Sequence, residues 1–282
     1  MAMTASARSS SGILENLGGF FRKFFFRILS VGPIPTHVAF IMDGNRRYAK
    51  KQNLSLEAGY RAGTLSLISI LKYCYELRIH YVSIYAFSID NFRRRPHEVK
   101  LVMDLLQEKL QAILDDQTIL HSYGIRVLFI GDLKLLNDSL RVLAEEVESA
   151  TANNNNFVFN ICISYTSTNE IVRAVYECCR EKKVMENDPI DYNVSVEDLE
   201  KHMDMGICPE PDILIRTSGE ARLSNFFLWQ TTYCYLYSPA ALWPEISLRH
   251  LVWAVLNFQR IHPYLENQKK KQMKKMKMEK EE

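Results

Sequence analysis

The apolar run Val38-Ala39-Phe40-Ile41-Met42 stops abruptly at Asp43-Gly44-Asn45-Arg46-Arg47. Such a run reads as a buried strand. In an open α/β sheet, ligands bind in the crevice at the carboxyl ends of the strands. A lone acid there can hold Mg²⁺. Gly44 lets a ligand come close to the backbone. Asn45 suits the N-cap of a helix through Arg46-Arg47-Tyr48-Ala49-Lys50-Lys51. A helix N-terminus carrying two guanidinium groups is an anion site, well matched to a diphosphate. A strand–turn–helix corner with solvated charges has the same composition, so the rest of the chain must decide.

From Thr36 onward, strand and helix patterns alternate. Strands are predicted over 37–42, 81–87, 125–130, 157–163, 212–215 and 233–237. Helices are predicted over 58–77, 96–120, 135–150, 168–180, 196–203 and 248–260. The helix over 58–77 turns Leu65, Ile68, Leu71 and Leu77 inward. The helix over 96–120 opens with Pro96 and turns Val99, Val102, Met103, Leu106, Leu110, Ile113 and Leu114 inward. Asn153 to Asn156 form a turn, and the polar stretch 181–193 reads as a mobile loop. This alternation predicts a single α/β domain with a mostly parallel central sheet flanked by helices. With 282 residues, 47% of them hydrophobic, the chain can fill such a core. No internal repeat interrupts it.

The two ends differ from the middle. Residues 1–12 are small and polar and read as disordered. Ile13, Leu14, Leu17, Phe20, Phe21, Phe24, Phe25 and Ile28 then lie on one helical face, with Arg22, Lys23 and Arg27 off it and Phe26 spoiling the split. Gly18-Gly19 weaken this helix by about 1 kcal/mol each. A basic, Phe-rich amphipathic helix suits a membrane interface, and it equally suits packing on a partner or on its own domain. Gly32-Pro33-Ile34-Pro35 ends the segment as a stiff linker. The tail is rich in Lys and Met, and either extends the last helix or is disordered. The expected division is 1–35 as an amphipathic membrane- or partner-contacting segment, 36–265 as the catalytic domain and 266–282 as a basic tail.

Residues 1–30 carry four basic groups against one acid, and 266–282 carry seven lysines against four glutamates. With +2 over the whole chain, the middle is left acidic. Basic ends suit a membrane surface, whereas a nucleic-acid footprint would cover the body. None of Cys74, Cys162, Cys178, Cys179, Cys208 and Cys234 forms a C-x-x-C or zinc pattern, so they read as reduced structural thiols facing the cytosol. No apolar run reaches transmembrane length, and charges interrupt the layout of a cleavable signal peptide.

Three arginine-rich clusters follow predicted strands: Asp43 to Arg47, Ser88-Ile89-Asp90-Asn91-Phe92-Arg93-Arg94, and Arg216-Thr217-Ser218-Gly219-Glu220-Ala221-Arg222-Leu223-Ser224-Asn225. Arginine forks onto phosphate, and hydroxyl or backbone N–H groups fill the remaining oxygens. Any one cluster could be a salt-bridged loop, but three at strand ends of one sheet form a pattern. No Walker loop, G-x-G-x-x-G or G-x-S-x-G is present. His37 and His80 precede strands and read as structural. A paired-carboxylate hydrolase through Asp43 and Asp90 would not need so many arginines. What remains is diphosphate chemistry with one metal-binding acid.

At these residues the chain resembles the cis-prenyltransferases, or Z-isoprenyl diphosphate synthases. Within them it is most similar to eukaryotic dehydrodolichyl diphosphate synthase and plant rubber-type catalytic subunits. The matching stretches are Ile41 to Lys50, Tyr85 to Phe92, Asp212 to Glu220 and Leu242-Trp243-Pro244-Glu245. The resemblance implies an undecaprenyl diphosphate synthase-like fold. It implies condensation of isopentenyl diphosphate onto an allylic diphosphate, typically farnesyl diphosphate, with Mg²⁺, giving a long-chain Z-polyprenyl diphosphate as dolichol or rubber precursor. By the same resemblance, Asp43 binds Mg²⁺. Gly44, Asn45, Arg46 and Arg47 cradle the allylic diphosphate. Ser88 and Asn91 position the condensing groups. Arg94, Arg216, Arg222 and Ser224 hold isopentenyl diphosphate. Leu106, Leu110 and Ile113 are candidates for the wall of an apolar tunnel, and read equally well as plain core.

The chain also departs from the family. Tyr60 stands where many relatives have histidine, and Leu56 where bacterial relatives have arginine, with Arg61 a candidate to compensate. Tyr235 replaces a second Mg²⁺-binding glutamate of bacterial homodimers. The Arg-x-Gly motif that ends single-subunit members is not found in the stretch after Gln268. The missing glutamate and motif lead us to expect a catalytic subunit completed by an accessory subunit related to the Nogo-B receptor. The basic amphipathic start, with no evident transit peptide or transmembrane run, leads us to expect the cytosolic face of the endoplasmic reticulum membrane, or the cytosol. Two competing readings are an impaired homologue serving as scaffold and a membrane-surface protein that only holds prenyl lipids.

Overall fold

A computed structural model describes residues 19, 22–185, 194–204 and 208–281. Six strands form one sheet: β1 (His37–Ile41), β2 (Tyr81–Ser88), β3 (Ile125–Ile130), β4 (Phe157–Tyr165), β5 (Ile213–Arg216) and β6 (Tyr235–Tyr237). Their order is β3-β4-β2-β1-β5-β6, and every pairing is parallel. The fold is thus a single α/β domain, as the alternation of patterns predicted. All five residues of β1 are buried. Val38 and Phe40 face one core, and Ala39 and Ile41 a second core on the other side of the sheet. Since β2 lies on one side of β1 and β5 on the other, the chain reverses its winding at β1. That reversal opens a crevice beyond the strand ends.

The helices are α1 (22–29), α2 (Asn45–Lys51), α3 (Leu56–Glu76), α4 (Pro96–Asp115), α5 (Thr118–Tyr123), α6 (Asp138–Thr151), α7 (Ser167–Met185), α8 (Val196–Lys201) and α9 (Leu248–Glu281). The helix predicted over 96–120 is two. Asp116 turns extended, and its carboxylate accepts from the Thr118 amide at 3.0 Å to start α5. A 3-10 turn, Leu133–Leu135, stands where the next helix was predicted to begin. That helix starts instead after Asn137, whose Oδ1 accepts from the Leu140 amide at 2.8 Å. Residues 181–185 continue α7, and the rest of the predicted loop lies outside the described residues.

On α3 the inward face is Gly59, Gly63, Ile70 and Cys74. Leu65 and Ile68, predicted inward, are 66% and 57% exposed. The close approach of α2 at the two glycines sets the rotation of α3. Leu67 and Leu71 pack against the core and also line a cavity, Ile68 falls on the cavity's side, and Leu65 points away.

The first helix also corrects its prediction. Phe26, the residue that spoiled the split, is buried in the main core together with Leu29, while Phe24, Phe25 and Ile28 face outward. Arg22 pairs with Glu76 at 2.7 Å and lies over the Tyr73 ring. The predicted residues Ile13, Leu14, Leu17, Phe20 and Phe21 lie outside the described ones. The Gly32–Pro35 linker docks on α9, where Gln259 Nε2 donates to the Leu29 carbonyl at 2.7 Å and the Pro33 carbonyl at 3.2 Å. The helix α9 continues past 265, carrying the basic tail with it.

His37 is structural, as predicted. It is fully buried between the Pro209 carbonyl (2.7 Å) and Ser83 Oγ (2.8 Å), and burial pulls its pKa down to about 4. The six cysteines are free thiols.

Candidate active site

Sheet register builds the site. Ile41 on β1 pairs with Tyr85 on β2 and with Arg216 on β5, so the residues that follow each strand emerge side by side. There the three clusters meet on one cavity of about 1650 Å³. Every predicted site residue lines it: Asp43, Gly44, Asn45, Arg46 and Arg47 from the first, Ser88, Asn91 and Arg94 from the second, and Arg216, Arg222 and Ser224 from the third. Arg93 does not. Its side chain is 87% exposed, 3.9 Å from Asp90.

The Asp43 corner is braced through its backbone. The Asp43 carbonyl accepts from Thr217 Oγ1 (2.6 Å), Ser218 Oγ (2.8 Å) and the Trp243 amide (2.9 Å). The side chains of Thr217 and Ser218 thus tie β1 to β5. The Trp243 indole donates to the Gly63 carbonyl at 2.9 Å and packs edge-on against Phe40. Lys51 and the Leu242 amide hold Glu245 at 2.5 and 3.2 Å. The Leu242-Trp243-Pro244-Glu245 motif is therefore a brace behind the corner.

The cap of α2 is not the one predicted. Gly44 occupies it with φ 120°, and Asn45 is the first helical residue. A Cβ on Gly44 would lie 2.6 Å from Ser218 Oγ, so the position needs glycine for space and conformation alike. The Asn45 side chain tucks instead toward Gly63, with Nδ2 3.5 Å from the Met42 carbonyl and Oδ1 buried without a partner.

Charges alternate across the mouth. Asp43 accepts from Arg216 Nη2 at 2.9 Å and from Arg47 Nη2 at 3.2 Å. Burial alone would raise the Asp43 pKa, but hydrogen bonds and charge from Arg216 and Arg47 outweigh it and hold the carboxyl below its usual value. Arg216 Nη1 reaches the Arg222 carbonyl and Ser224 Oγ, both at 2.5 Å, and its Nε is buried with no partner. Glu220 bridges Arg47, at 3.4 Å, and Arg222. Reading the sequence for cations missed Glu220 as a site residue, although it stands between the two arginines of its own motif. The Ser88 hydroxyl caps the following 3-10 turn by accepting from the Asp90 amide at 3.2 Å, which aims Asn91 and Arg94 inward.

Tyr60 lines the cavity together with Arg94 and Arg46. Burial raises its pKa, opposed by the charges of Arg94 and Arg46. Arg61 does not compensate for the missing histidine. It forks onto Glu108 at 2.8 and 3.0 Å and binds Glu57 at 2.8 Å, fastening α3 to α4 outside the cavity. Tyr235 packs against the core from β6 and Leu56 begins α3, and neither lines the cavity.

Below the charged mouth the walls turn apolar, with Leu106, Leu110 and Ile113 of α4 facing Leu67 and Leu71 of α3 over a floor of Phe157 and Phe159. Among the described residues, no group of three or more His, Cys, Asp or Glu is placed to hold a metal alone. Mg²⁺ commonly takes one or two carboxylates and completes its shell with substrate phosphates and water. One ionised Asp43 beside a bed of guanidinium groups fits a metal that is shared with a diphosphate.

Residues 41–264 match the Prenyltransf family, undecaprenyl diphosphate synthase. Dehydrodolichyl diphosphate synthase 6 of Arabidopsis thaliana is 55% identical, over 92% of this chain and 94% of its own. The human dehydrodolichyl diphosphate synthase complex subunit DHDDS is 41% identical, over 91% of this chain and 76% of its own. Among solved structures, lavandulyl diphosphate synthase from Lavandula x intermedia, in complex with dimethylallyl diphosphate, superposes with a TM-score of 0.74. It is 28% identical over 80% of this chain and 95% of its own.

Proposed function

Because the chain belongs to the undecaprenyl diphosphate synthase family of cis-prenyltransferases, we propose that its cavity extends an allylic diphosphate, farnesyl diphosphate, by successive units of isopentenyl diphosphate. The chain is a prenyl transferase, and the observation that carries the substrate reading is the cavity's two-part lining. A diphosphate needs the arginine mouth, and a growing polyprenyl chain needs the apolar depth. The volume exceeds the roughly 300–1,000 Å³ of ordinary small-molecule pockets.

In each cycle the allylic carbon–oxygen bond breaks and a carbon–carbon bond forms to the alkene of isopentenyl diphosphate. A proton leaves, and the new double bond is cis. Gly44, Asn45, Arg46 and Arg47 cradle the departing diphosphate, whose growing charge preorganised cations stabilise most in the transition state. Arg94, Arg216, Arg222 and Ser224 hold the second diphosphate, and Ser88 and Asn91 align the two reacting ends. Asp43 supplies the carboxylate for Mg²⁺, which when bound neutralises charge on the leaving group. Asp43 and Glu220 pair with the same guanidinium groups that phosphate oxygens would take. Labelled isopentenyl diphosphate, supplied with farnesyl diphosphate and Mg²⁺, is expected to enter a butanol-extractable product. Products no longer than the primer would refute the elongation reading.

We also propose that the enzyme works as the catalytic subunit of a heteromer, with a Nogo-B receptor-like subunit supplying the Arg-x-Gly motif. Two observations support it. A relative is by name a complex subunit, and β6 ends the sheet with an open edge carrying Leu236, 48% exposed. Full activity of the purified chain alone, equal to that of a co-expressed pair, would contradict it. We assign residues 1–35 to an amphipathic membrane- or partner-contacting segment, 36–265 to the catalytic domain and 266–282 to a basic tail. Together these imply peripheral attachment to the cytosolic face of the endoplasmic reticulum membrane. Outward-facing Phe24, Phe25 and Ile28 support the attachment, and a purely soluble pool on fractionation would contradict it.

A further inference from the structure

The third cluster holds an unusual backbone. Ser224, Asn225 and Phe227 have φ of 50°, 58° and 48°, left-handed values that L residues rarely adopt. Such residues persist only where their surroundings hold them. On the outer side, α7 does this. The Ser167 amide donates to the Asn225 carbonyl at 2.8 Å, and the Thr168 amide and hydroxyl both donate to Asn225 Oδ1 at 3.1 Å.

On the cavity side the hold comes from Tyr85. Its ring stacks on Phe226 at 4.4 Å between centroids, and its single hydroxyl proton is shared between the Tyr165 carbonyl at 3.0 Å and the Ser224 carbonyl at 3.4 Å. Tyr165 is the register partner of Ser88, so the carbonyl that this hydroxyl grips lies beside the start of the Ser88 turn. One hydroxyl thus joins the end of β4 to the Ser224 loop. Ser224 in turn receives Arg216 Nη1 at 2.5 Å. Tyr85 also lines the cavity and sits on β2 opposite Ile41, so a rigid central strand anchors this junction.

We propose that Tyr85 is a positioning residue for the isopentenyl diphosphate half of the site. Its hydroxyl fixes the Ser224 loop, and with it Arg216, relative to the ends of β2 and β4. This rests on the assignment of Arg216, Arg222 and Ser224 to that diphosphate. The allylic half, built on α2 and the Asp43 corner, has no contact with this hydroxyl and should not feel its loss.

Tyr85→Phe keeps the ring stack and removes only the hydroxyl. In the active enzyme, KM for isopentenyl diphosphate should rise roughly five- to tenfold, the loss of about one hydrogen bond's worth of positioning. KM for farnesyl diphosphate should stay unchanged, and the thermal midpoint should fall by no more than about 2–4 °C. Ser224→Ala, measured in parallel, separates the two levels of the reading. If Ser224→Ala raises the isopentenyl diphosphate KM and Tyr85→Phe does not, the positioning role is wrong. If neither raises it, the diphosphate assignment itself is wrong. Equal rises in both KM values with a larger fall in the thermal midpoint would make Tyr85 a general structural residue and overturn the proposal.

Discussion

Asp43 and Arg216 meet at 2.9 Å across the crevice between β1 and β5. The pairing of Ile41 with Arg216 puts the acid just past the end of one strand and the base at the end of its neighbour. Arg216 is 5% exposed, so its charge is well shielded from solvent and paired with Asp43. Removing Arg216 leaves Asp43 with Arg47 as its remaining partner and takes the donor from Ser224 Oγ and the Arg222 carbonyl. Arg216→Met is therefore expected to destabilise the fold by about 1–3 kcal/mol as well as to weaken isopentenyl diphosphate binding. Urea unfolding checks the first effect, and an unchanged midpoint would show that the pair is dispensable to the fold.

Gly63 sets how closely α3 approaches the corner. A Cβ there would run into Asn45 Oδ1 and come within 3.0 Å of Trp243 Cδ1. Gly63→Ala should cost about 1–3 kcal/mol by overpacking and push Asn45 toward the allylic diphosphate. The expected signature is a raised KM for farnesyl diphosphate with that for isopentenyl diphosphate unchanged. Equal effects on both would show that the contact is not specific to the allylic half.

Much of this site was legible in the sequence because its parts are local. An apolar run ending in Asp-Gly-Asn-Arg-Arg fixes a strand, its end and its charge within ten residues. What was not legible depends on packing between distant segments. Leu65 and Ile68 fit an apolar stripe, but the α2–α3 contact at Gly59 and Gly63 rotates α3 so that neither enters the core. Arg61 is beside Tyr60 in sequence, yet a helix points neighbours about 100° apart, and Glu108 of α4 captures it. Gly44 took the cap from Asn45 because the backbone there passes too close to Ser218 for a side chain. Phe26 looked like an interruption in an amphipathic face and is the residue that anchors α1.

The two faces of α1 should separate by mutation. Phe26 is buried in the core, so Phe26→Ala is expected to cost about 3 kcal/mol. Serine at each of the exposed positions Phe24, Phe25 and Ile28 should change stability by no more than about 0.5 kcal/mol while reducing sedimentation with anionic vesicles. Vesicle binding equal to wild type would remove this face from the membrane account.

His37 predicts a pH dependence. Its folded pKa of about 4 lies below the ordinary 6.5, so between these values the unfolded chain binds the proton and the folded chain does not. Stability contributed by neutral His37 is therefore full above pH 6.5 and falls as pH drops toward 4, by roughly 3 kcal/mol at most. His37→Gln should be less stable at pH 7 but flatter between pH 7 and 5. A slope matching wild type in urea midpoints would show that other groups carry the acid loss.

The central claim is that the Asp43 corner is the centre of diphosphate chemistry, and Asp43→Ala tests it most directly. Incorporation of labelled isopentenyl diphosphate onto farnesyl diphosphate should fall by about a thousandfold or more, roughly 4 kcal/mol of barrier, while circular dichroism shows the fold retained. Activity within tenfold of wild type in a folded Asp43→Ala enzyme would contradict the account.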